Sequence, residues 1–303
     1  PILMTQITKP DTQKSSINLI SDCLLNCFNQ QTEMVLLELV SSLISNESFS
    51  IDVNYRLTFL IKLRNLISNN SIVNGWSYII KSIHNYEDET IEVSSSILNQ
   101  ICNNFFSHLD LDKREEVIKI IFEYASQKVL INVALSSLGL LWVVVPFIKT
   151  NSDFWKLILS ETIILFSDSR NDVAVCSVQT FFSLLSTNSS TLPKDIYSHL
   201  IRNCFMNQLM AMGDFPQSMW SVQQLILQEM CHCAISFWSF FISINEFSSN
   251  FWELIIAKHE SFLAHCQDQE INNNAFLFYE ECFSIPNFEN HTRYLLTVSF
   301  ENV

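Results

Sequence analysis

The chain has 303 residues, of which 48% are hydrophobic and 16% charged, and its 31 acidic side chains against 17 Lys and Arg give a net charge of −14. Nucleic acids and anionic lipid surfaces select basic stripes, so this balance argues against both as ligands and favours proteins as partners. Only three glycines occur, at Gly75, Gly139 and Gly213, and their wide separation excludes the glycine-rich loops that bind phosphate.

Apolar residues recur at helical spacing along nearly the whole chain. Successive stripes lie at 17–28, 36–43, 53–67, 97–105 and 117–124. Polar segments rich in Asn and Ser separate such stripes roughly every 20 residues, as loops between helices do. The pattern predicts about fourteen helices, hence roughly seven helix pairs of about 40 residues, which is the spacing of HEAT and armadillo repeats. We therefore predict an all-α fold that is built as an α-solenoid.

The domain organisation follows from the lack of any low-complexity linker. We predict one solenoid over residues 1–303, with 1–13 as a loose tail and 212–218, which contains Gly213 and Pro216, as a bend between repeats. Because the chain starts at a proline and ends inside a periodic run, we interpret it as a piece of a larger protein.

The longest apolar runs lie at 133–148 and 231–244. Both contain serines, and both are shorter than the roughly 18 to 20 apolar residues that a membrane span needs. The first residues lack the basic and apolar regions of a signal peptide. The nine cysteines lack the spacing of a disulfide framework, which indicates reduced and mostly buried thiols. We therefore expect a cytoplasmic protein without a transmembrane segment.

Helix starts are marked by polar residues with a carboxylate three positions on. The segments 112–115, 169–172 and 250–253 each place Asp, Ser or Asn before an acidic residue in this way. Such a pair satisfies the first backbone N–H groups of a helix, so each segment predicts a helix N-terminus.

One segment carries a motif of the HEAT class. Asp168 is followed by Arg170, Val173 and the small residue Ser177, and then by apolar residues at helical spacing. Asp168 can cap the incoming turn, Arg170 can pair with an acidic residue of an adjacent repeat, and Val173 with Ser177 allows close approach of helices. The motif departs from the usual pattern at Ala174, where a basic residue is typical. The alternative interpretation is an ordinary capped helix.

The same region resembles a known family. The helix at 133–142, which ends in Gly-Leu-Leu-Trp, and the block 168–185 resemble the late part of the Mon-two (Ysl-two) family, relatives of the large Sec-seven-type Arf guanine-nucleotide exchange factors. The downstream runs 220–244, 251–255 and 273–283 are similar in order and spacing to the C-terminal repeats of that family. The resemblance covers residues 90–285 and is strongest over 133–185.

This resemblance implies a peripheral protein of Golgi and endosome membranes that acts in vesicle trafficking. Members lack the catalytic exchange module of their Sec-seven relatives. They associate with a Dopey-family protein, a phospholipid flippase and an Arf-like GTPase, and they support retrieval from endosomes to the Golgi. Membrane association would then occur through these partners.

Arrangements that would support chemistry are weak in this sequence. Cys231, His232 and Cys233 are consecutive in a predicted helix and point to different faces, so they cannot share one tetrahedral metal ion. The seven histidines are scattered and lack the paired nucleophile and acid of a catalytic site. The acidic run around Asp88 stands at a predicted helix start, where it complements the helix dipole. We therefore expect no catalytic residues, no cofactor and no metal.

The densest aromatic patch is a candidate partner surface. It contains Phe237, Trp238, Phe240, Phe241, Phe251 and Trp252, of which all but Phe240 are the candidate contact residues. Aromatic residues at helical spacing usually belong to the core, which is the alternative interpretation of the same patch.

The hypothesis from the sequence is a non-enzymatic scaffold that binds proteins through helical-repeat surfaces. One alternative is the regulatory HEAT region of a true large Arf guanine-nucleotide exchange factor, with its catalytic module elsewhere in the full-length protein. Another is an adaptor solenoid of the nuclear-transport type. The sequence leaves open which helices contact partners and whether the chain forms a homo-oligomer.

Overall fold

The computed structural model describes residues 53–68, 75–84, 88–212 and 219–241, together with positions 251, 254, 255, 257, 258, 260 and 261. Within these ranges every regular element is helical and no strand occurs. The all-α prediction is therefore confirmed for the described residues. Predictions that concern the loose tail, the bend at 212–218 and the cap at 250–253 lie wholly or largely outside them.

Contacts divide the chain into two compact units, Pro1–Phe147 and Ile148–Val303. The sequence pattern did not mark this boundary, because the residues on both sides of it are apolar and belong to the long run 133–148. The two are called unit 1 and unit 2 below, and each is described by itself.

Unit 1 contains five described α-helices, some extended by short turns of another helical type. They are α1 (Val53–Ser68), α2 (Trp76–Ile83), α3 (Ile91–Gln100), α4 (Leu111–Ser126) and α5 (Ile131–Val144). A 3₁₀ turn at Asp88–Thr90 leads into α3, a π-helical segment at Ile101–Phe105 and a 3₁₀ turn at Phe106–His108 continue it, and a 3₁₀ turn at Val145–Phe147 follows α5.

Unit 2 contains six described α-helices. They are α6 (Ser152–Ile164), α7 (Asn171–Asn188), α8 (Lys194–His199), α9 (Met206–Ala211), α10 (Trp220–Ser236) and α11 (Trp238–Phe241). A 3₁₀ turn at Leu165–Ser167 follows α6, and a π-helical segment at Leu200–Phe205 joins α8 to α9 without a break.

The helices of unit 1 pack in two layers. Helices α1, α3 and α5 contact one another in sequence and form one layer, while α2 contacts α4 in the other. The antiparallel hairpin of α4 and α5 connects the layers through the most extensive contact of the unit. Alternate helices therefore share a layer, as they do in stacked helix-pair repeats.

Unit 2 repeats the alternation. Helix α6 packs against α7 in the next layer and against α8 in its own, and α7 packs against α10. Both faces of a helix such as α7 are thus covered, which explains why its sequence carries apolar residues on more than one side.

Polar side chains organise the helix ends. The carboxylate of Asp110 accepts a hydrogen bond from the backbone N–H of Lys113 at 3.0 Å and caps α4. The prediction that placed this cap at Asp112 is wrong by two residues, because Asp112 already lies inside the first turn. At the other end of α4, the buried amide of Gln127 accepts from the backbone N–H groups of Val129 and Leu130 at 2.7 and 2.9 Å and holds the tight turn to α5.

Arg114 fixes the ends of two neighbouring helices in unit 1. Its guanidinium donates to the backbone carbonyls of Phe106, Ser107 and Phe147 at 3.2, 2.7 and 3.3 Å. The last carbonyls of a helix have no partner within it, so one side chain here supplies donors to the C-terminal turns that follow both α3 and α5. The rings of Phe106 and Phe147 lie 6.1 Å apart beside it.

Candidate functional site

The turn before α7 contains the first residues of the predicted HEAT motif. The Asp168 side chain is only 2% exposed, and its Oδ1 accepts from the backbone N–H of Arg170 at 2.8 Å. The guanidinium of Arg170 donates to both carboxylate oxygens, from Nε at 2.9 Å and from Nη2 at 2.8 Å. This pair lies within one turn, whereas the motif predicted a pair with an acidic residue of an adjacent repeat. The helix begins at Asn171, so the acceptor at its start is Asp168 and not Ser169, whose predicted capping role is wrong. This bidentate ion pair lies in the turn between α6 and α7, and we call it the bracket.

The apolar part of the motif faces the core of unit 2. Val173 and Ser177 are fully buried on α7, and the hydroxyl of Ser177 donates to the carbonyl of Ala174 at 2.7 Å. Ala174, at the position where a basic residue is typical, is also fully buried. A charged side chain would therefore meet the core here, which gives the departure from the motif a physical reason.

We expect Ser177→Leu to lower the free energy of unfolding by about 2 kcal/mol, because three extra carbon atoms must enter a fully buried position. Ser177→Ala removes only a hydroxyl bonded within its own helix and is expected to change it by less than about 1 kcal/mol. Urea denaturation followed by circular dichroism measures both. Ser183→Leu, on the exposed side of α7, is the matched control, and an equal loss in that variant would contradict close helix approach at Ser177.

The predicted aromatic surface is largely core. Phe237, Phe241 and Phe251 are 4%, 0% and 0% exposed, so these rings offer no surface to a partner. They surround Tyr197 and Phe205: the Tyr197 ring lies 5.2 Å from Phe237, and the Phe205 ring 6.1 Å from Phe251. The alternative interpretation, in which helical spacing marks core aromatics, holds for these three residues.

Two further members of the patch, Trp238 and Trp252, have side chains that lie outside the described residues. Phe240, another member of the patch, is 42% exposed and stacks on Tyr197 with ring centroids 4.3 Å apart. The accessible aromatic edge of this cluster therefore includes Phe240.

A groove in unit 1 lies between α2 and α4. It has a volume of about 370 Å³, a buried apolar floor and a polar, exposed rim, and it is lined by Ser77, Ile80, Lys81, His84, Glu116, Lys119 and Ile120. We call it the α2–α4 groove. The sequence analysis did not single out these residues, because they come from two helices whose pairing becomes visible only in the fold.

Two interactions connect α2 and α4 on one side of this groove. The buried hydroxyl of Tyr124 on α4 donates to the carbonyl of Ile83 on α2 at 2.8 Å. Nearby, Nδ1 of His84 and the carboxylate of Glu123 lie 2.8 Å apart on the surface. Two links between the same helices keep the groove formed without a ligand.

A polar seam in unit 2 joins α6 to α8. Asp195 accepts from the hydroxyl of Ser152 at 2.7 Å and pairs with Nζ of Lys156 at 2.8 Å, and the hydroxyl of Ser160 lies 3.3 Å from Nε2 of His199. The hydrogen bond from Lys156 lowers the pKa of Asp195 below its usual value. Within the described residues no hydrogen bond joins Asp195 to His199, so Ser160, His199 and Asp195 do not form the relay of a catalytic triad.

Because it contains His199, the seam makes the free energy of unfolding depend on pH near neutrality. Burial lowers the pKa of His199 below 6.5, and the charge of Lys156 lowers it further while Asp195 opposes the shift. Below pH 6.5 the unfolded chain therefore binds more protons at this residue than the folded chain does, and folding is disfavoured. We expect the free energy of unfolding to fall as the pH is lowered from 7 to about 5, and His199→Gln to flatten that slope. Denaturation series at several pH values test this, with His108→Gln, an exposed histidine, as the variant that should keep the slope.

In the cysteine and histidine triplet of α10, the two cysteines are part of the core and His232 between them is half-buried. Cys231 and Cys233 are 1% and 7% exposed, and burial raises the pKa of Cys233 well above its usual value. Burial likewise raises the pKa of Cys204 to about 12. The thiols of Cys204 and Cys233 are therefore protonated at neutral pH, whereas metal ligation and nucleophilic attack need a thiolate. Among the described residues no group of three or more His, Cys, Asp and Glu side chains is placed to hold a metal ion.

In the part of the chain that the structure describes, no helix is both long and apolar enough to cross a membrane. No protein-family model matches this chain, and no curated protein matches it. The functional argument therefore rests on the packing of the helices and on the surfaces they present.

Proposed function

We propose that this chain is a segment of a HEAT-type α-solenoid that serves as a non-catalytic scaffold and binds other proteins through its helical surfaces. The observation that carries the proposal is the alternation of layers within each unit, where α1, α3 and α5 pack in one layer and α2 and α4 in the other. Elongated helical-repeat proteins use such layers to present long surfaces to partners.

The bracket of Asp168 and Arg170 supports the HEAT assignment. It stands in the turn between α6 and α7, where HEAT repeats carry their acidic and basic residues, and Val173 and Ser177 follow on the buried face of α7. An ordinary capped helix needs the acceptor side chain but not the bidentate guanidinium.

The charge of the chain supports proteins as the ligands. A net charge of −14 repels nucleic acid and anionic lipid, and it steers partners that carry basic surfaces. We further propose, from the resemblance of 133–142 and 168–185 to the Mon-two family, that these partners belong to Golgi and endosome trafficking. A Dopey-family protein, a phospholipid flippase and an Arf-like GTPase are then the partners to test.

Binding of the purified chain to a purified Dopey-family protein tests the proposal. The chain is immobilised, and we expect saturable binding that weakens as salt increases, since acidic surfaces contribute to the encounter. Two variants separate dependence on the repeat fold from an effect of surface charge. Arg170→Ala disturbs the bracket, whereas Lys194→Ala removes an exposed positive charge in the same unit.

Two outcomes would overturn the scaffold assignment. Rapid nucleotide release from an Arf GTPase by the full-length protein would identify the chain as the regulatory region of an exchange factor. Binding to basic targeting peptides or to the Ran GTPase, without binding to the Dopey-family protein, would identify an adaptor of the nuclear-transport type.

A further inference from the structure

Helix α5 differs from its neighbours in charge. Among the described helices of eight or more residues, it is the one that carries no Asp, Glu, Lys or Arg. The uncharged stretch extends over residues 129–148, within a chain whose net charge is −14. A surface on this helix can therefore approach another acidic protein without bringing carboxylates together.

One side of α5 is accessible to solvent, and we call it the outer face of α5. Its residues recur at helical spacing and are exposed or half-buried: Asn132, Leu135, Ser136, Gly139, Trp142 and Val143. The largest of these side chains is Trp142, which is 41% exposed. The outer face thus presents an aromatic side chain where a surface helix usually carries charged groups.

Gly139 leaves a notch beside this tryptophan. It lies three residues before Trp142 in the interior of the helix, where glycine is less favourable than alanine. Among the described residues, no heavy atom lies within 4 Å of the position that a Cβ on Gly139 would occupy. Packing within the described part of the chain therefore does not require the missing side chain, whereas a second helix can approach the backbone closely at this point.

We propose that two copies of the chain form a homodimer through the outer faces of their α5 helices. The helices cross in antiparallel orientation, so that Trp142 of each copy packs against Gly139 of the other. A two-fold axis that passes between positions 139 and 142 generates both contacts at once. Because the tryptophan and the notch lie about one turn apart on the same helix, a second copy presents the complement of each. The dimer goes beyond the scaffold function proposed above and does not depend on it.

The lack of charge favours a second copy over a different protein. Specificity for a different partner commonly comes from opposite charges across the interface, and the outer face carries no charge that would select such a partner. In a two-fold contact the same surface faces itself, so a charged residue near the axis would meet its own kind. The outer face of α5 avoids this repulsion, although each copy carries a net charge of −14.

Sedimentation equilibrium of the intact chain at about 1 to 100 μM tests the inference. We expect a reversible change from one chain of 35.1 kDa to twice that mass. The dissociation constant should be on the order of 10 μM, because a single helix–helix contact buries a small area. Added salt should tighten the dimer, since it screens the repulsion between two acidic chains and no ion pair crosses the interface. A monomer at every concentration, or a dimer that added salt dissociates, overturns the inference.

Exchange of the two residues tests whether the tryptophan and the notch pair. Gly139→Trp fills the notch and Trp142→Gly removes the tryptophan, so each single variant should weaken the dimer at least about tenfold. The double variant exchanges the two features on the same helix, and the two-fold axis again places a tryptophan opposite a glycine. Its dissociation constant should return to within about threefold of the original value. A double variant that dimerises no more tightly than the single variants contradicts the proposed contact.

Ile164→Glu provides the matched control for charge. Trp142→Glu places a carboxylate in the outer face of α5 and should weaken the dimer at least about tenfold. Ile164→Glu makes the same change of net charge at an apolar residue of unit 2 that is 63% exposed, and it should change the dissociation constant by less than about twofold. Equal weakening by the two variants would place the contact outside α5. Circular dichroism of each variant below its dissociation constant shows that the monomer remains folded.

The outcome is separate from that of the scaffold proposal. A chain that binds the Dopey-family protein and stays monomeric retains the scaffold function and loses the α5 contact. A chain that dimerises through Trp142 and does not bind the Dopey-family protein retains the dimer and loses the trafficking assignment.

Discussion

Trp155→Ala is expected to lower the free energy of unfolding by about 3 to 5 kcal/mol, the largest loss of any single substitution considered for this chain. Trp155 is 0% exposed in α6, and among the described residues it is the largest of the fully buried side chains. Its removal takes the contacts of a whole indole from the core of unit 2 and leaves a cavity that the helices cannot fill completely. Guanidinium denaturation followed by circular dichroism measures the loss.

Two further substitutions separate the causes. Trp155→Phe keeps most of the ring volume but loses the hydrogen bond that Nε1 donates to the carbonyl of Lys149 at 2.9 Å, and it should cost about 1 to 2 kcal/mol. Trp142→Ala removes a tryptophan that is 41% exposed on α5 and should cost clearly less than Trp155→Ala. Equal losses at Trp142 and Trp155 would contradict the burial of Trp155 in unit 2.

Arg170→Ala is expected to lower the free energy of unfolding by about 3 kcal/mol. The Asp168 side chain is 2% exposed and that of Arg170 16%, so removal of the guanidinium leaves a buried carboxylate without its charged partner. Most of the loss in free energy of unfolding comes from the buried Asp168 carboxylate that has lost its charged partner. The lost attraction between the two side chains contributes less. The double variant Asp168→Ala with Arg170→Ala should therefore be less destabilised than the sum of the two single variants, because it removes the stranded charge as well.

The exposed pair of Glu115 and Lys119 provides the comparison. Its side chains are 49% and 55% exposed, and Glu115→Ala should change the free energy of unfolding by no more than about 0.5 kcal/mol. Urea denaturation of all four variants gives the comparison in one series. If Arg170→Ala changes stability as little as Glu115→Ala, the bracket before α7 is open to solvent and no longer supports the HEAT assignment.

The helices themselves were largely predictable from apolar spacing. The stripe at 53–67 corresponds to α1, which ends one residue later, at Ser68. The predicted long helix at 220–244 is interrupted at Phe237, between α10 and α11. Aromatic residues continue the apolar pattern through this point, so spacing alone cannot show that Phe237 leaves the helix to pack its ring against Tyr197.

Surface sites were less predictable than helices, for a physical reason. Phe237, Phe241 and Phe251 lie in one aromatic-rich stretch of the sequence, and their large side chains could contact a partner. Packing between helices buries them instead. The residues of the α2–α4 groove carry no local signal, because Lys81 and Lys119 are ordinary exposed lysines until α2 and α4 are placed side by side. Sequence identifies what a helix can bury, whereas the pairing of helices decides which exposed groups meet.

The π-helical segment between α8 and α9 explains a spacing that a regular α-helix cannot sustain. The buried residues there follow an interval of four, as in Ile196, Leu200, Cys204 and Gln208. In an α-helix of 3.6 residues per turn, this interval drifts by about 40° at each step and would carry the last residue out of the core. The wider turns of Leu200–Phe205 absorb the excess and keep the row aligned. The continuous helical segment from Lys194 to Ala211 therefore contains one residue more than a regular α-helix with the same buried face. Deletion of the exposed Asn203 should convert the segment to a regular α-helix that keeps this face buried.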